Sequence, residues 1–340
     1  MVTTAPCSPR KARSALSPRN SFGVFSLLLV LHVGHAVAQG YPSKPLRMLV
    51  GFPPGGTNDL MARIVAQKLT GSLGQPVVVE NRPGASGVIA AEALAHAAPD
   101  GYTLMLGSTG TNTIAPALNS RLPYDPVRDL APVGLVGIAS SALVVNAAVP
   151  AANVAELIAL ARAHPGKLTF ASSGTGTTLH LGGELFKSLA GVDMVHVAYK
   201  GNAQALNDVV GGQVDMIFSA LPPALPLARA GKVRILGVGF PRRLPSTPDL
   251  PTIAEQRLPG YEMWTWYGVF ATGGSPAAAI ERVSRELHAA LADVRVREQI
   301  TAQGADPAAG TGTPDELRAL VASELRKWDR VVKDAGIKVE

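Results

Sequence analysis

Residues Leu46 to Leu60 read LRMLVGFPPGGTNDL. An apolar run stops on a glycine, turns through two prolines and two glycines, and reopens at Thr-Asn-Asp ahead of apolar residues spaced three and four apart. That is a strand, a tight loop and the start of a helix. The loop carries no lysine, so it is not a nucleotide loop, which ends Gly-Lys-Ser/Thr to reach phosphate and magnesium. Leu60, Ile64, Val65 and Leu69 are expected to share one face of the helix. Asp59, at the helix start, is expected to act as a cap.

The same alternation continues along the chain. Apolar runs lie at 76–80 (PVVVE), 102–107 (YTLMLG), 142–146 (ALVVN), 167–172 (KLTFAS), 194–199 (MVHVAY), 214–219 (VDMIFS) and 233–239 (VRILGVG). Helical patterns fill the intervals. Val154, Leu157, Ile158 and Ala161 make one stripe; Leu317, Val321, Leu325, Trp328 and Val332 make another near the end. Strands alternating with helices predict an α/β fold with largely parallel sheets. The segment 130–146, interrupted by Pro132 and small residues, is expected to carry the chain from one lobe to a second. The proline-rich segment 237–272 is expected to carry it back. The division expected is 39–139 plus 263–340 for lobe 1 and 140–262 for lobe 2.

The first 38 residues have the three parts of an export signal: a basic head with Arg10, Lys11, Arg13 and Arg19, the apolar stretch FGVFSLLLVLHVGHA, and Ala36-Val37-Ala38 before the cut. The apolar part falls short of the ~20 residues of a spanning helix. Those four cations are part of a total of 31 Lys and Arg against 25 Asp and Glu, so the remainder of the chain is close to neutral, at +2. A nucleic-acid partner is therefore not expected. The single cysteine, Cys7, lies in the same segment. Without it there is no disulfide, thiolate nucleophile or cysteine-based metal site. The five remaining histidines, His96, His164, His180, His196 and His288, show no metal-ligand spacing, so neither metal nor cofactor is expected.

Five strand ends lead into loops of one chemistry: GFPPGGTND, GSTGTNT, ASSGTGTT, AYKGNAQ and FSALPPA. Backbone amides, hydroxyls and carboxamides dominate. In open α/β sheets ligands lie beyond the carboxyl ends of the strands, and helix N-termini there favour anions. Gly174-Thr175-Gly176-Thr177-Thr178-Leu179 begins like a dinucleotide fingerprint but lacks its third glycine. No GxSxG elbow is present. Ser172 and Ser173 lie close to His180, the ingredients of a hydrolase, yet His180 falls in the first turn of a helix, where the dipole opposes its protonation. His196, inside an apolar run, reads as a hydrogen-bonded core residue. Lys200 and Arg82 are the cations near these loops.

The chain resembles the periplasmic solute receptors of the tripartite tricarboxylate transporters, the Bug-type receptors, from Tyr41 to about Lys338. The resemblance rests on YPSKP (41–45), FPPGG with Asp59, LGQPVVVENRPGASG (73–87), APDGYTL (98–104), LPYDP (122–126), HPGKLTFASSGTGT (164–177), HVAYKG (196–201), GGQVD (211–215), LPGYE (258–262) and KWDRVVKDAGIK (327–338). It implies a two-lobed Venus-flytrap fold, with two mixed, mostly parallel sheets joined by two crossing segments. It also implies a periplasmic, monomeric, non-enzymatic receptor. Its partners would be a small organic carboxylate and the membrane subunits of a transporter.

Position by position, the resemblance implies that a carboxylate meets the loop Phe52 to Asn58, with Phe52, Pro54, Gly55, Gly56 and Asn58, and the second loop with Ser108, Thr109 and Asn112. From the other lobe it implies Ser172, Ser173, Gly174, Thr175 and Thr177, with His180, Tyr199 and Ser219 completing the wall. Ser219-Ala220 stands where relatives often carry Asp-Asn, and HVAYKG where many have VPYKG. Serine cannot pair with a ligand ammonium, which disfavours an amino acid. A receptor serving a signalling partner and a periplasmic hydrolase using Ser172 or Ser173 with His180 are the alternatives.

Overall fold

The structure, a computed structural model, describes residues 40–119, 121–244, 246–307 and 312–334. The export signal expected over 1–38 lies outside the described residues. In chain order the elements are β1 (Leu46–Val50), α1 (Thr57–Leu73), β2 (Val77–Asn81), α2 (Val88–Ala95), β3 (Thr103–Ser108), α3 (Ala115–Leu118), β4 (Leu130–Asn146), α4 (Val154–Ala163) and β5 (Thr169–Ser172). There follow α5 (Thr178–Ala190), β6 (Val195–Ala198), α6 (Asn202–Val210), β7 (Met216–Ala220), α7 (Leu221–Arg229), β8 (Val233–Val238) and β9 (Trp264–Thr272). The chain closes with α8 (Ala277–Ala292), α9 (Val294–Ala302), β10 (Asp306–Pro307) and α10 (Pro314–Asp334).

Every apolar run read from the sequence contains a strand or part of one. β1 is covered on both faces, as a central parallel strand should be, with only Arg47 exposed. It pairs in parallel with β2 and β3. β5 likewise pairs in parallel with β6 and β7. These are two parallel sets, and β4 joins them. Its residues Leu130 to Ser140 run antiparallel to β9, and Ser141 to Val145 antiparallel to β7. The change of partner falls between Ser140 and Ser141. Near the same point Gly239 donates its N–H to Ser141 O (2.8 Å) and Met263 donates to Gly239 O (2.8 Å), where the returning chain leads into β9.

Two expectations change. Residues 130–146 are one continuous 17-residue strand rather than an interrupted connection. Pro132 and the glycines are absorbed by register shifts between Pro132 and Gly134 and between Leu135 and Gly137, so the ladder resumes instead of ending. On α1 the fully buried stripe is Met61, Ala62, Val65, Ala66, Leu69 and Leu73, while Leu60 and Ile64 are only partly covered. The α4 stripe is buried as read, and Asn153 Oδ1 caps it by accepting the Glu156 N–H (2.9 Å).

The terminal helix serves both parallel sets. Leu317 and Val321 of α10 pack with Met105, Trp266 and Phe270. Trp328 and Val331, farther along, pack with Phe170, Phe186 and Met263. Trp328 is fully buried, and its indole N–H donates to Glu324 Oε2 (2.8 Å).

Candidate functional site

The loops after β1, β2 and β3 lie in contact, and glycine makes this possible. A Cβ on Gly51 would stand 2.5 Å from Gly87 Cα, and one on Gly87 would stand 2.4 Å from Thr111 Oγ1. Three backbone turns are therefore stacked more closely than side chains would allow. The middle turn, residues 84–87 (GASG), has positive φ at four successive positions: 139°, 46°, 56° and 93°. Thr111 Oγ1 donates to Ser86 O (3.2 Å), tying this turn to the next.

Asp59 holds the FPPGG turn. Its buried carboxylate accepts from Gly55 N–H (2.9 Å), Asn81 Nδ2 (2.8 Å) and Arg63 Nε (2.9 Å), and Asn81 Nδ2 also donates to Phe52 O (3.0 Å). The Arg63 hydrogen bond, opposed by burial and helped by the Gly55 amide, holds its pKa down at about 2. Asp59 therefore does not cap its own helix, which begins after Gly56 without a side-chain cap. It reaches back to the preceding turn. Gly55, at φ 84°, gives its amide to Asp59, and the first-turn N–H groups of Thr57 and Asn58 have no acceptor in the helix. Pro54, Gly55 and Gly56 are exposed, and Phe52 and Asn58 half-buried.

In the loop after β3, Asn112 Oδ1 accepts Ser108 N–H (3.1 Å), while Asn112 Nδ2 is buried with no partner. Thr109 is wholly enclosed. Its Oγ1 accepts Trp266 N–H (2.9 Å), so it braces β9 rather than lining open space.

The loop after β5 is built the same way. Gly174 N–H donates to Ser172 Oγ (3.2 Å), Gly176 N–H to His180 Nδ1 (3.1 Å), and Thr177 Oγ1 to Gly174 O (2.7 Å). Thr177 is the N-cap of α5. Ser173 Oγ donates to Thr177 Oγ1 (3.3 Å), and Thr175 is exposed. The loop after β6 lies against it, with Tyr199 N–H donating to Ser172 O (3.1 Å). The Tyr199 hydroxyl donates to Asp208 Oδ2 (2.8 Å), and burial, aided by that bond, raises its pKa to about 12. Ser219 is buried and donates to Ala220 O (2.9 Å).

The two sets of loops meet. A Cβ on Gly110 would lie 3.9 Å from Ser108 Oγ on its own side and 3.9 Å from Thr178 Oγ1 at the start of α5. Around this meeting point the cations near the loops are occupied or outward. Arg82 is paired with Glu80 (2.7 Å), Arg63 with Asp59 (2.9 Å) and Lys187 with Glu184 (3.0 Å), while Lys200 is exposed. Among the described residues no cluster of metal-ligating side chains occurs, and no helix is long and apolar enough to cross a membrane.

A serine–histidine pair exists, but not the expected one. Ser172 Oγ lies 2.7 Å from His196 Nε2, and His180 uses Nδ1 to accept the Gly176 amide. Burial, reinforced by Lys187, lowers His180 to about 4; burial and then His180 itself lower His196 to about 4. Neither ring is a competent base near neutrality. The GASG turn is not among the expected site residues, although its glycines follow an apolar strand just as those of FPPGG do. His196 is hydrogen-bonded as expected, but to Ser172, a partner for which MVHVAY carries no local signal.

A family model for the tripartite tricarboxylate transporter family receptor, TctC, matches residues 61–337. The chain is 38% identical to the protein BugT of Bordetella pertussis over 304 residues, covering 89% of this chain and 93% of that one. Among solved structures, Rpa4515 of R. palustris with adipate is 36% identical, with TM-score 0.75 over 88% of this chain and 99% of that one. MatC of Rhodopseudomonas palustris with bound malate is 34% identical, with TM-score 0.72 over 86% and 100%. With its α/β periplasmic-binding-protein fold, this chain belongs to the TctC family, the periplasmic solute receptors of the tripartite tricarboxylate transporters, and is not an enzyme.

Proposed function

We propose that the chain captures a small organic carboxylate between its two sets of loops and delivers it unaltered to the membrane subunits of a tripartite tricarboxylate-type transporter. The observation that carries this reading is the meeting of uncharged donors at Gly110 and Thr178, from the carboxyl ends of two parallel strand sets. Solved relatives hold adipate and malate. A carboxylate fits neutral dipoles: each hydrogen bond to a charged group contributes roughly 1.5–3 kcal/mol, and micromolar affinity needs about 8 kcal/mol net. The first-turn amides of α1, the unpartnered Asn112 Nδ2 and the amides of Ser173 and Thr175 are the donors we assign.

The same reading divides the molecule into lobe 1 (39–139 plus 263–340) and lobe 2 (140–262). The crossings at Ser140–Ser141 and Gly239–Met263 would serve as the hinge. A ligand held from both sides favours the closed arrangement because it interacts more strongly with it. Ser219 and Ala220 offer no carboxylate to a ligand ammonium, so dicarboxylates are preferred over amino acids.

A melting-temperature screen of ligand-stripped protein against mono-, di- and tricarboxylates, aromatic acids and acidic amino acids tests this. A cognate acid at a hundredfold excess over its Kd adds about 2.7 kcal/mol, and raises Tm by about 5 °C. Aspartate and glutamate are expected to give no shift. A flat response to every carboxylate would refute the proposal.

A further inference from the structure

We propose that His180 and His196 are positioning residues of the receptor, whose stacked imidazoles set the shape of the loop 172–177 by fixing which of its amides face inward. The proposal rests on the carboxylate reading of the site and goes beyond it by assigning the support of one of its two jaws. The rings stack with centroids 4.0 Å apart, and Phe170 of β5 lies 4.9 Å from His196. Each ring terminates one arm of the loop. His196 Nε2 holds Ser172 Oγ (2.7 Å), which in turn accepts Gly174 N–H (3.2 Å). His180 Nδ1 accepts Gly176 N–H (3.1 Å).

Alternate amides are thus drawn inward, at Gly174 and Gly176, where φ is 131° and 75° and glycine alone turns the chain without strain. The intervening Ser173 and Thr175 N–H groups have no acceptor within the described residues and are left for a ligand. His180 must be neutral for this, with its proton on Nε2, which lies 3.9 Å from Glu184 Oε1. The charged groups acting on the pair are Glu184 and Lys187, both on α5; β5 presents Phe170 and Ser172 to the rings, neither of them charged. A protonated Nδ1 would point a donor at the Gly176 donor. The ring value lies below the ordinary 6.5, so the arrangement is fully present above pH 6.5 and is lost as pH falls through about 4.

The test compares removal with conservative replacement. His180→Leu and His196→Leu keep apolar volume without the ring acceptor; His180→Asn and His196→Gln keep a polar atom near Nδ1 and Nε2. In ligand-free protein, residue-resolved amide exchange is expected to rise roughly tenfold at Gly176 in His180→Leu and at Gly174 in His196→Leu, with recovery in the Asn and Gln variants. Affinity for adipate and malate is expected to fall roughly tenfold in the Leu variants and less than about threefold in the conservative ones. A merely structural role would lower Tm without this pattern.

For unmodified protein, histidine nitrogen shifts should show the Nε2–H tautomer for His180. The Gly176 amide should titrate together with that ring near pH 4, a ligand-free measurement that escapes the ligand's own titration. Unchanged exchange and affinity in folded Leu variants, or an Nδ1–H tautomer, would overturn the proposal. If the parent protein binds neither adipate nor malate nor any other acid of the melting screen, the carboxylate reading is what fails, and the exchange pattern still decides the positioning role.

Discussion

Replacing Asp59 by alanine is expected to cut carboxylate affinity on the order of a hundredfold and to destabilise the protein by about 2–4 kcal/mol. The side chain is only 2% exposed and, among the described residues, is the anchor of the Gly55 amide. Its removal releases that N–H and takes away one of the two acceptors of Asn81 Nδ2, the atom that also holds Phe52 O. The FPPGG turn then loses its fixed shape, and the α1 amides lose their aim. Arg63→Ala is the contrast. Half of that side chain is in water, which screens its ion pair, and affinity should barely move. Calorimetric titration together with thermal melts separates the two variants. The depressed Asp59 pKa adds a pH signature: its contribution is complete above an ordinary carboxyl's pKa of about 3.9 and disappears as pH falls through about 2.

Gly87→Ala should be nearly as damaging, by a steric route. At φ 93° an L-residue is strained by about 1–2 kcal/mol. The new methyl would also stand 2.4 Å from Thr111 Oγ1, on a buried side chain, adding roughly 1–3 kcal/mol of overpacking. Thr111 lies in the π-helical turn 110–114 that carries Asn112, so the push reaches a donor we assign to the ligand. Adding Thr111→Ala to Gly87→Ala should recover the overpacking part and leave the φ penalty, a coupling that a double-mutant cycle reads directly. Gly56→Ala is the control on the same rim. Its Cβ would meet only Pro53 O at 3.7 Å, and φ is −78°, so only the poorer N-cap preference of alanine should register, at about 1 kcal/mol or less.

The strands were legible because a strand buried on both faces is a nearly unbroken apolar run, as in LRMLV and YTLMLG. The FPPGG and ASSGTGTT loops were legible for the opposite reason, being dense in residues that only turns require. What escaped notice depended on contacts distant in sequence. Pro132 looks like a break until β9 lies beside it and shifts register. Gly87 looks like an ordinary turn glycine until Gly51 and Thr111 close on it from other strands. His196 reads as a hydrogen-bonded core residue, but its partner is legible only once β6 brings it beside Ser172. Spacing placed His180 and Ser172 near each other, yet only the fold decides which histidine the serine meets. The expected liganding groups divide similarly. Thr109, Tyr199 and Ser219 direct their hydroxyls into the protein, whereas loop amides remain available.

The most direct test is a crystal structure of the protein with the acid giving the largest shift in the melting screen. The account predicts one carboxylate within about 3.2 Å of first-turn amides of α1 and of donors in the loop 172–177, with no lysine or arginine within about 4 Å. A carboxylate paired instead with Lys200 or Arg82, or an acid bound away from both loops, would contradict it.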